Sequence, residues 1–202
     1  MTKAIDQSVD APARTSSERG QAARARLLDA AAALIAEIGW TAVTTRRVAD
    51  HAGIRSGLVH YHFESLQALL RKAAMERVSE YLEGARAQLD DGTDPAELLA
   101  PLLEQFDAAD PTSLLVIETY LAATRDPVLS EQLVQQLTRF RGALESALAR
   151  AENPAPGATA LVVLAALDGI ALQKGLDPDL PTTDAVALLR ELLHPHQGGT
   201  PS

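Results

Sequence analysis

The sequence predicts an all-α protein of about nine helices, with a small three-helix unit at the N-terminal end and a larger helical body behind it. Three observations carry that prediction. Apolar residues recur at helical spacing with no strand-like alternation, and Asp-Pro and Gly breaks cut the chain into helix-length pieces. Charge is also divided between the two parts. Residues 1–75 hold 10 Lys+Arg against 7 Asp+Glu, a balance of +3, while residues 76–202 hold 8 against 20, a balance of −12. Only the first part favours a polyanion, and so small an excess carries little weight alone.

Taken in order, Leu27, Ala31, Leu34, Ile35 and Ile38 form the i, i+3, i+4, i+7 stripe of a first helix over residues 17–39, closed by Gly39. Thr44 or Thr45 caps a second helix that runs to His51 or Ala52, where Gly53 stops it. A third, very short helix fits residues 56–62. A longer fourth begins near Ser65, with Leu66, Leu69, Leu70, Ala73 and Ala74 on one side. Asp94-Pro95 then starts the next helix, with proline at the first helical position. Asp110-Pro111 and Asp126-Pro127 repeat the device, and residues 153–157 and 177–181 read as loops. The later helices fall at 95–108, 112–124, 128–152, 158–175 and 183–193. The organisation expected is a flexible arm (1–16), a helix-turn-helix unit (17–64), a helical body (65–194) and a flexible tail (195–202).

Composition limits the classes to consider. With 47% hydrophobic and 22% charged residues in 202, the chain is of ordinary globular type, and without cysteine it has no disulfide, thiolate metal site or cysteine nucleophile. The N-terminal residues lack the apolar stretch of a secretory signal, so a cytoplasmic location is expected. The longest apolar run, Ala158 to Leu167, is short of the roughly 20 residues that cross a bilayer, so no membrane span is expected.

Two short helices joined by a glycine-containing turn are the geometry in which one helix braces a second that enters the DNA major groove. Ala49 and Gly53, four apart, supply a small side chain at the crossing and a residue tolerant of positive φ in the turn. Val48, Ala52, Ile54 and Val59 supply the contacts between the helices, with Leu34, Ile38, Phe63 and Leu66 completing the core. Arg55, Ser56, Gly57, His60 and Tyr61 remain outward on the second helix, donors suited to base edges and phosphates. Arg46 and Arg47 lie where the first helix would cross the phosphate backbone. For any one of these residues the bland reading, a solvated polar surface, is about as good; the joint pattern is what points to double-stranded DNA.

The run TTRRVADHAGIRSGLVHYHFESLQALL, residues 44–70, resembles the DNA-binding signature of the TetR family, with close similarity over about residues 19–72. The resemblance implies a dimeric transcriptional repressor released from a near-palindromic operator by a small-molecule effector. It places Thr44 or Thr45, Arg55, Ser56, Gly57, His60, Tyr61 and His62 at or beside DNA. Three positions depart from the family pattern: His60 stands where tyrosine is usual, Leu66 where the fourth helix usually begins with a phosphate-contacting lysine, and Arg55 precedes Ser56 where serine often comes first. These departures shift the expected phosphate grip towards Arg46, Arg47 and Arg55.

In the larger body, the stretch from Ala158 to Leu172 is apolar almost all round, which predicts burial on every side. Val186, Leu189, Leu192 and Leu193 form a stripe that can pack beside it. In the family the last two helices form a four-helix dimer interface, so the resemblance offers Leu161, Leu164, Asp168, Gly169, Leu172, Val186, Leu189, Leu192 and Leu193 as dimer residues. Asp168 reads as a hydrogen-bonded structural carboxylate rather than a catalytic one. The family's effector cavity would draw on Leu82, Leu99, Leu103, Phe106, Val116, Glu118, Tyr120, Leu137, Phe140 and Leu164, although apolar residues at helical spacing are more often plain core. Glu118 either recognises a cationic or hydroxylated effector or pairs with Arg125; the pairing is favoured.

An enzyme is not expected. No Gly-rich phosphate loop or zinc-type His-Glu spacing occurs, His60 and His62 fall on different faces of a helix, and no cofactor, metal or catalytic residue is implied. An activator of the same fold, or one controlled by a protein partner, remains the alternative to an effector-released repressor.

Overall fold

The computed structural model describes residues 16–98, 111–177 and 179–193, and every regular element among them is helical. In chain order these are α1 (Ser16–Ile38), a 3-10 turn (Trp40–Ala42), α2 (Thr45–Ala52), α3 (Gly57–His62), α4 (Leu66–Asp90), helical residues 95–98, α5 (Pro111–Ala123), α6 (Pro127–Arg150), α7 (Pro156–Leu176) and α8 (Thr183–Leu193). The all-α expectation holds. The helix expected over 95–108 is described only in its first turn; the expected tail (195–202) and the expected arm (1–16), apart from Ser16, which begins α1, lie outside the described residues.

Local chemistry sets the helix ends. Thr44, not Thr45, caps α2, its hydroxyl accepting from the Arg47 amide at 3.3 Å. Ser65 caps α4 by accepting from the Ala68 amide at 3.0 Å, and Asp94 accepts from the Ala96 amide at 2.8 Å. These bonds satisfy amides that have no partner inside the helix. Gly53 ends α2 in the left-handed region at φ 61, and a Cβ there would lie 2.8 Å from the guanidinium of Arg26. Arg26 reaches from α1 to the carbonyls of Ala52 and Gly53, so the glycine both turns the chain and admits the side chain that closes the helix end. Gly39, at φ 79, turns α1 into the 3-10 segment, an element the sequence pattern did not reveal.

Asp126 begins α6. Its carboxylate accepts from the Val128 and Leu129 amides, each at 3.1 Å, and pairs with Arg71 of α4 at 3.2 Å. Burial pushes this carboxyl up, but the Leu129 amide, the Arg71 guanidinium and the Val128 amide outweigh it and hold the carboxyl below the usual aspartate range. The stabilisation is therefore present above that range and is lost as pH falls through it. Asp126→Ala should lower stability by about 1–2 kcal/mol at neutral pH. Urea midpoints measured against pH should converge with the wild type in acid; a constant gap would contradict this account.

Two hydrophobic cores form, and they do not divide at the expected boundary near residue 64. The first joins α1, the 3-10 turn, α2, Val59 of α3, Phe63 and the first half of α4 to Leu115 and Ala123 of α5 and Leu129 and Leu133 of α6. The second joins Ala85 and Leu89 at the far end of α4, the second half of α6, α7 and α8. Thus α4 and α6 each serve both cores, and the helix-turn-helix is packed continuously onto the body. Leu34, Val48, Ala49, Ala52, Val59 and Phe63 are buried as expected, and Leu66 is partly so, but Ile38, at the end of α1, is exposed.

Helix α7 is not buried on every side. Ala160, Val163, Leu167 and Ala171 face the second core, whereas Leu161, Val162 and Leu172 are exposed, as is Leu176 at 82%. The apolar composition therefore reflects one face packed within the chain and a second face left bare. By length and composition alone this 21-residue helix is long and apolar enough to cross a membrane, a test that a core helix of a soluble protein also passes.

Candidate nucleic-acid interface and effector cavity

The α2–α3 pair leaves most of the expected residues exposed. Val48 and Val59 fix the pair to the core, being almost fully buried, while Arg55, Ser56, Gly57, His60 and Tyr61 are exposed. Tyr61 stands out at 79% exposure, its ring meeting only the edge of His62 at 5.0 Å between centroids. No atom lies within 4 Å of a Cβ built on Gly57, leaving the backbone open to close approach. His62 is half-buried, and Thr45 is a half-buried first helical residue.

The arginines have different degrees of freedom. Arg47 donates to the Ala42 carbonyl at 2.8 Å and so ties α2 to the 3-10 turn, while Arg46 sits 3.7 Å from Asp50, a solvated pair of little energetic weight. Leu66 packs against the first core, a role that a charged side chain at the same place would not fill. Arg24, not singled out in the sequence, lies 5.0 Å over the Phe63 ring. Arg26 was missed as well. Its role depends on a contact 26 residues away, and no local spacing signals that.

Glu118 belongs to neither role proposed for it. Its carboxylate accepts from the Trp40 amide at 2.8 Å, so it is turned away from the cavity and does not pair with Arg125. Gly39, at φ 79, turns the chain so that the Trp40 amide, the first of the 3-10 turn, meets the Glu118 carboxylate of α5. Trp40 is buried, and its indole N–H donates to Gln67 of α4 at 3.2 Å. The turn that precedes α2 is therefore held by both α4 and α5.

Between the two cores lies a partly open cavity of about 60 Å³. Six of the expected lining residues meet there: Leu82, Val116, Tyr120, Leu137, Phe140 and Leu164. Val78, Tyr81, Leu133, Leu167 and Asp168 complete it and were not anticipated as lining. Leu99, Leu103 and Phe106 lie outside the described residues. A groove of about 220 Å³ between α5 and α7 shares Val116, Tyr120 and Asp168 with the cavity. The Tyr120 hydroxyl donates to Asp168 at 3.1 Å. Burial raises the tyrosine well above its ordinary range, with the adjacent carboxylate adding to the effect. Burial among apolar neighbours likewise raises the Asp168 carboxyl, offset in part by the Tyr120 hydroxyl. Larger clefts, such as that of about 630 Å³ edged by Arg71, Lys72, Glu76 and Gln132, are polar surface features.

The residues expected at a dimer interface separate into groups. Leu161, Leu172 and Leu192 are exposed, and Val162, Leu176 and Leu188 extend the same apolar exposure. Leu189 and Leu193 are corrected: at 5% and 1% exposure they are used inside their own chain, packing α8 onto the second core. Leu164 and Val186 are half-buried against that core, while Asp168 and Gly169 line the groove beside α5. A helical stripe in the sequence does not distinguish the side that packs within a subunit from the side that stays free.

Residues 27–73 match the family described as "Bacterial regulatory proteins, tetR family", and residues 90–195 match "Tetracyclin repressor-like, C-terminal domain". The chain is 32% identical over 139 residues to the HTH-type transcriptional repressor KstR2 of Rhodococcus jostii, covering 65% of this chain and 67% of that protein. It is 27% identical over 179 residues to the HTH-type transcriptional regulator BetI of Rhizobium meliloti, covering 86% and 88% of the two chains. In fold it resembles a crystal structure of a transcriptional regulator from Rhodococcus sp. Rha1, with a TM-score of 0.73, 24% identity and coverage of 85% and 94%.

Proposed function

The chain belongs to the TetR family of transcriptional regulators, and from that premise we propose that it is a homodimeric repressor that binds a near-palindromic operator and is released by a small molecule. Members of the family regulate transcription and are not enzymes. The observation that carries the proposal is the outward set Arg55, Ser56, Gly57, His60 and Tyr61 on a buried α2–α3 frame. An exposed tyrosine and arginine beside a backbone free of side chains suit major-groove contact. Thr44, Arg46 and Arg47 would flank it on the phosphate side. The bare leucines of α7 and α8 supply a self-complementary apolar face for a two-fold dimer.

Effector control rests on the position of the cavity. A molecule that fills the space between two cores pushes on α4 and α5, the helices that hold the Trp40 turn through Gln67 and Glu118. A shift of either helix alters the presentation of α2 and α3, and a difference in affinity between two arrangements is all that release requires. The molecule acts only by favouring one spacing of the paired α3 helices.

Sequencing the DNA fragments that purified protein selects from its own genome tests the core of the proposal. A shared near-palindrome is expected, with affinity falling as salt rises; absence of any enriched site would overturn it. Coupling has its own optical test, because Trp40 is the chain's one tryptophan. Glu118→Ala should shift Trp40 emission, lower stability by about 1–3 kcal/mol as the amide loses a charged acceptor, and weaken operator binding. Unchanged emission and operator affinity would remove Glu118 from the coupling path.

A further inference from the structure

We propose that the effector is a cationic amphiphile, an apolar body carrying an ammonium group, and that Asp168 is the residue that selects it. This rests on the effector-controlled reading above and adds the chemistry of the molecule. Asp168, an exposed residue, lines both the cavity and the α5–α7 groove, so the two spaces share one carboxylate. Its partner is the Tyr120 hydroxyl at 3.1 Å, which occupies one acceptor direction and leaves the others unfilled by protein among the contacts described. The remaining walls of both spaces are hydrocarbon apart from Tyr81, and no Lys, Arg or His lines either one among the described residues.

That asymmetry excludes ligand classes by charge. An anionic head would meet a carboxylate with no lining cation to offset it. A neutral ligand fills the walls but leaves the carboxylate without a charged partner. An ammonium or other N–H cation pairs with it, while Tyr120 holds the carboxylate in place. The apolar side chains Val116, Leu137 and Leu164 offer walls for the tail of such a molecule.

The test uses the full-length protein and three probes that share one chain and differ in the head: octylammonium, octanol and octanoate, each titrated by calorimetry. Octylammonium is expected to bind at least about tenfold more tightly than octanoate. Asp168→Asn, which keeps the shape and removes the charge, should lose about tenfold for octylammonium and leave octanol unchanged. Tyr120→Phe should retain the preference for the cation. Equal or tighter binding of octanoate, no effect of Asp168→Asn on octylammonium, or no binding of any probe would overturn the proposal. Operator binding, measured in parallel without probes, separates the two readings: it can persist when cation selectivity fails, or fail while that selectivity persists.

Discussion

Arg55→Ala should lower operator affinity by about 1–3 kcal/mol, one to two orders of magnitude, measured by fluorescence anisotropy on the selected site. Three features of the structure set this magnitude. Arg55 is exposed at the turn into α3, it contributes nothing to the buried frame of Val48, Ala52 and Val59, and its neighbours Gly57 and Tyr61 leave the approach to it open. Truncation should therefore leave the melting temperature and dimerisation unchanged. Arg46→Ala, by contrast, removes a solvated side chain and should cost less, equally on all sequences, with a smaller salt slope. An Arg55→Ala protein that binds the operator as tightly as the wild type would move the recognition contact elsewhere on α3.

Asn153→Ala should cost about 2–4 kcal/mol of stability, read from urea unfolding. Asn153 is buried in the α6–α7 loop and fills both ends of its amide. Its nitrogen donates to the Leu192 carbonyl at 3.0 Å and to that of Leu193 at 3.3 Å, while its oxygen accepts from the Ala155 amide at 3.0 Å and the Thr159 hydroxyl at 3.1 Å. One side chain thus joins the end of α8 to the start of α7. Its loss strands two helix-end carbonyls and an amide, and releases α8 from the core. Since α7 and α8 carry the exposed leucines, the variant should also dissociate at higher protein concentration, visible in sedimentation. Asn153→Asp keeps the acceptor and loses the donor, so it should recover only part of the stability. A variant as stable as the wild type would show that the loop is held by packing alone.

The sequence made the fold class and the α2–α3 unit legible because their signals are local. Thr44, Ser65, Asp94-Pro95 and Asp126-Pro127 each act on amides within three residues, Gly53 donates its own amide to the Ala49 and Asp50 carbonyls, and the apolar stripes state which faces go inward. What escaped was long-range. Glu118 satisfies an amide 78 residues earlier in the chain, and Arg26 closes a helix end 26 residues later; neither partner is encoded in neighbouring residues. The dimer residues were only half readable for the same reason. Leu189 and Leu192 lie on one apparent stripe, yet one is spent on the second core and the other is left outside. Asp168 was correctly read as a hydrogen-bonded carboxylate, but its acceptance from Tyr120 at the mouth of the cavity required α5 and α7 to be placed side by side.

The junction between the two cores also has an evolutionary consequence. Leu82, Leu137 and Leu164 line the cavity but are only partly buried, and the tightest-packed residues of each core, such as Leu27, Leu69 and Val48 on one side and Leu148, Val163 and Leu193 on the other, take no part in its walls. Substitutions at the partly buried lining remove less packing than substitutions at those fully enclosed positions. Under the proposed effector control, descendants of this chain can therefore exchange one inducing molecule for another in small steps, while the exposed α2–α3 residues and those that hold the body together stay under separate selection.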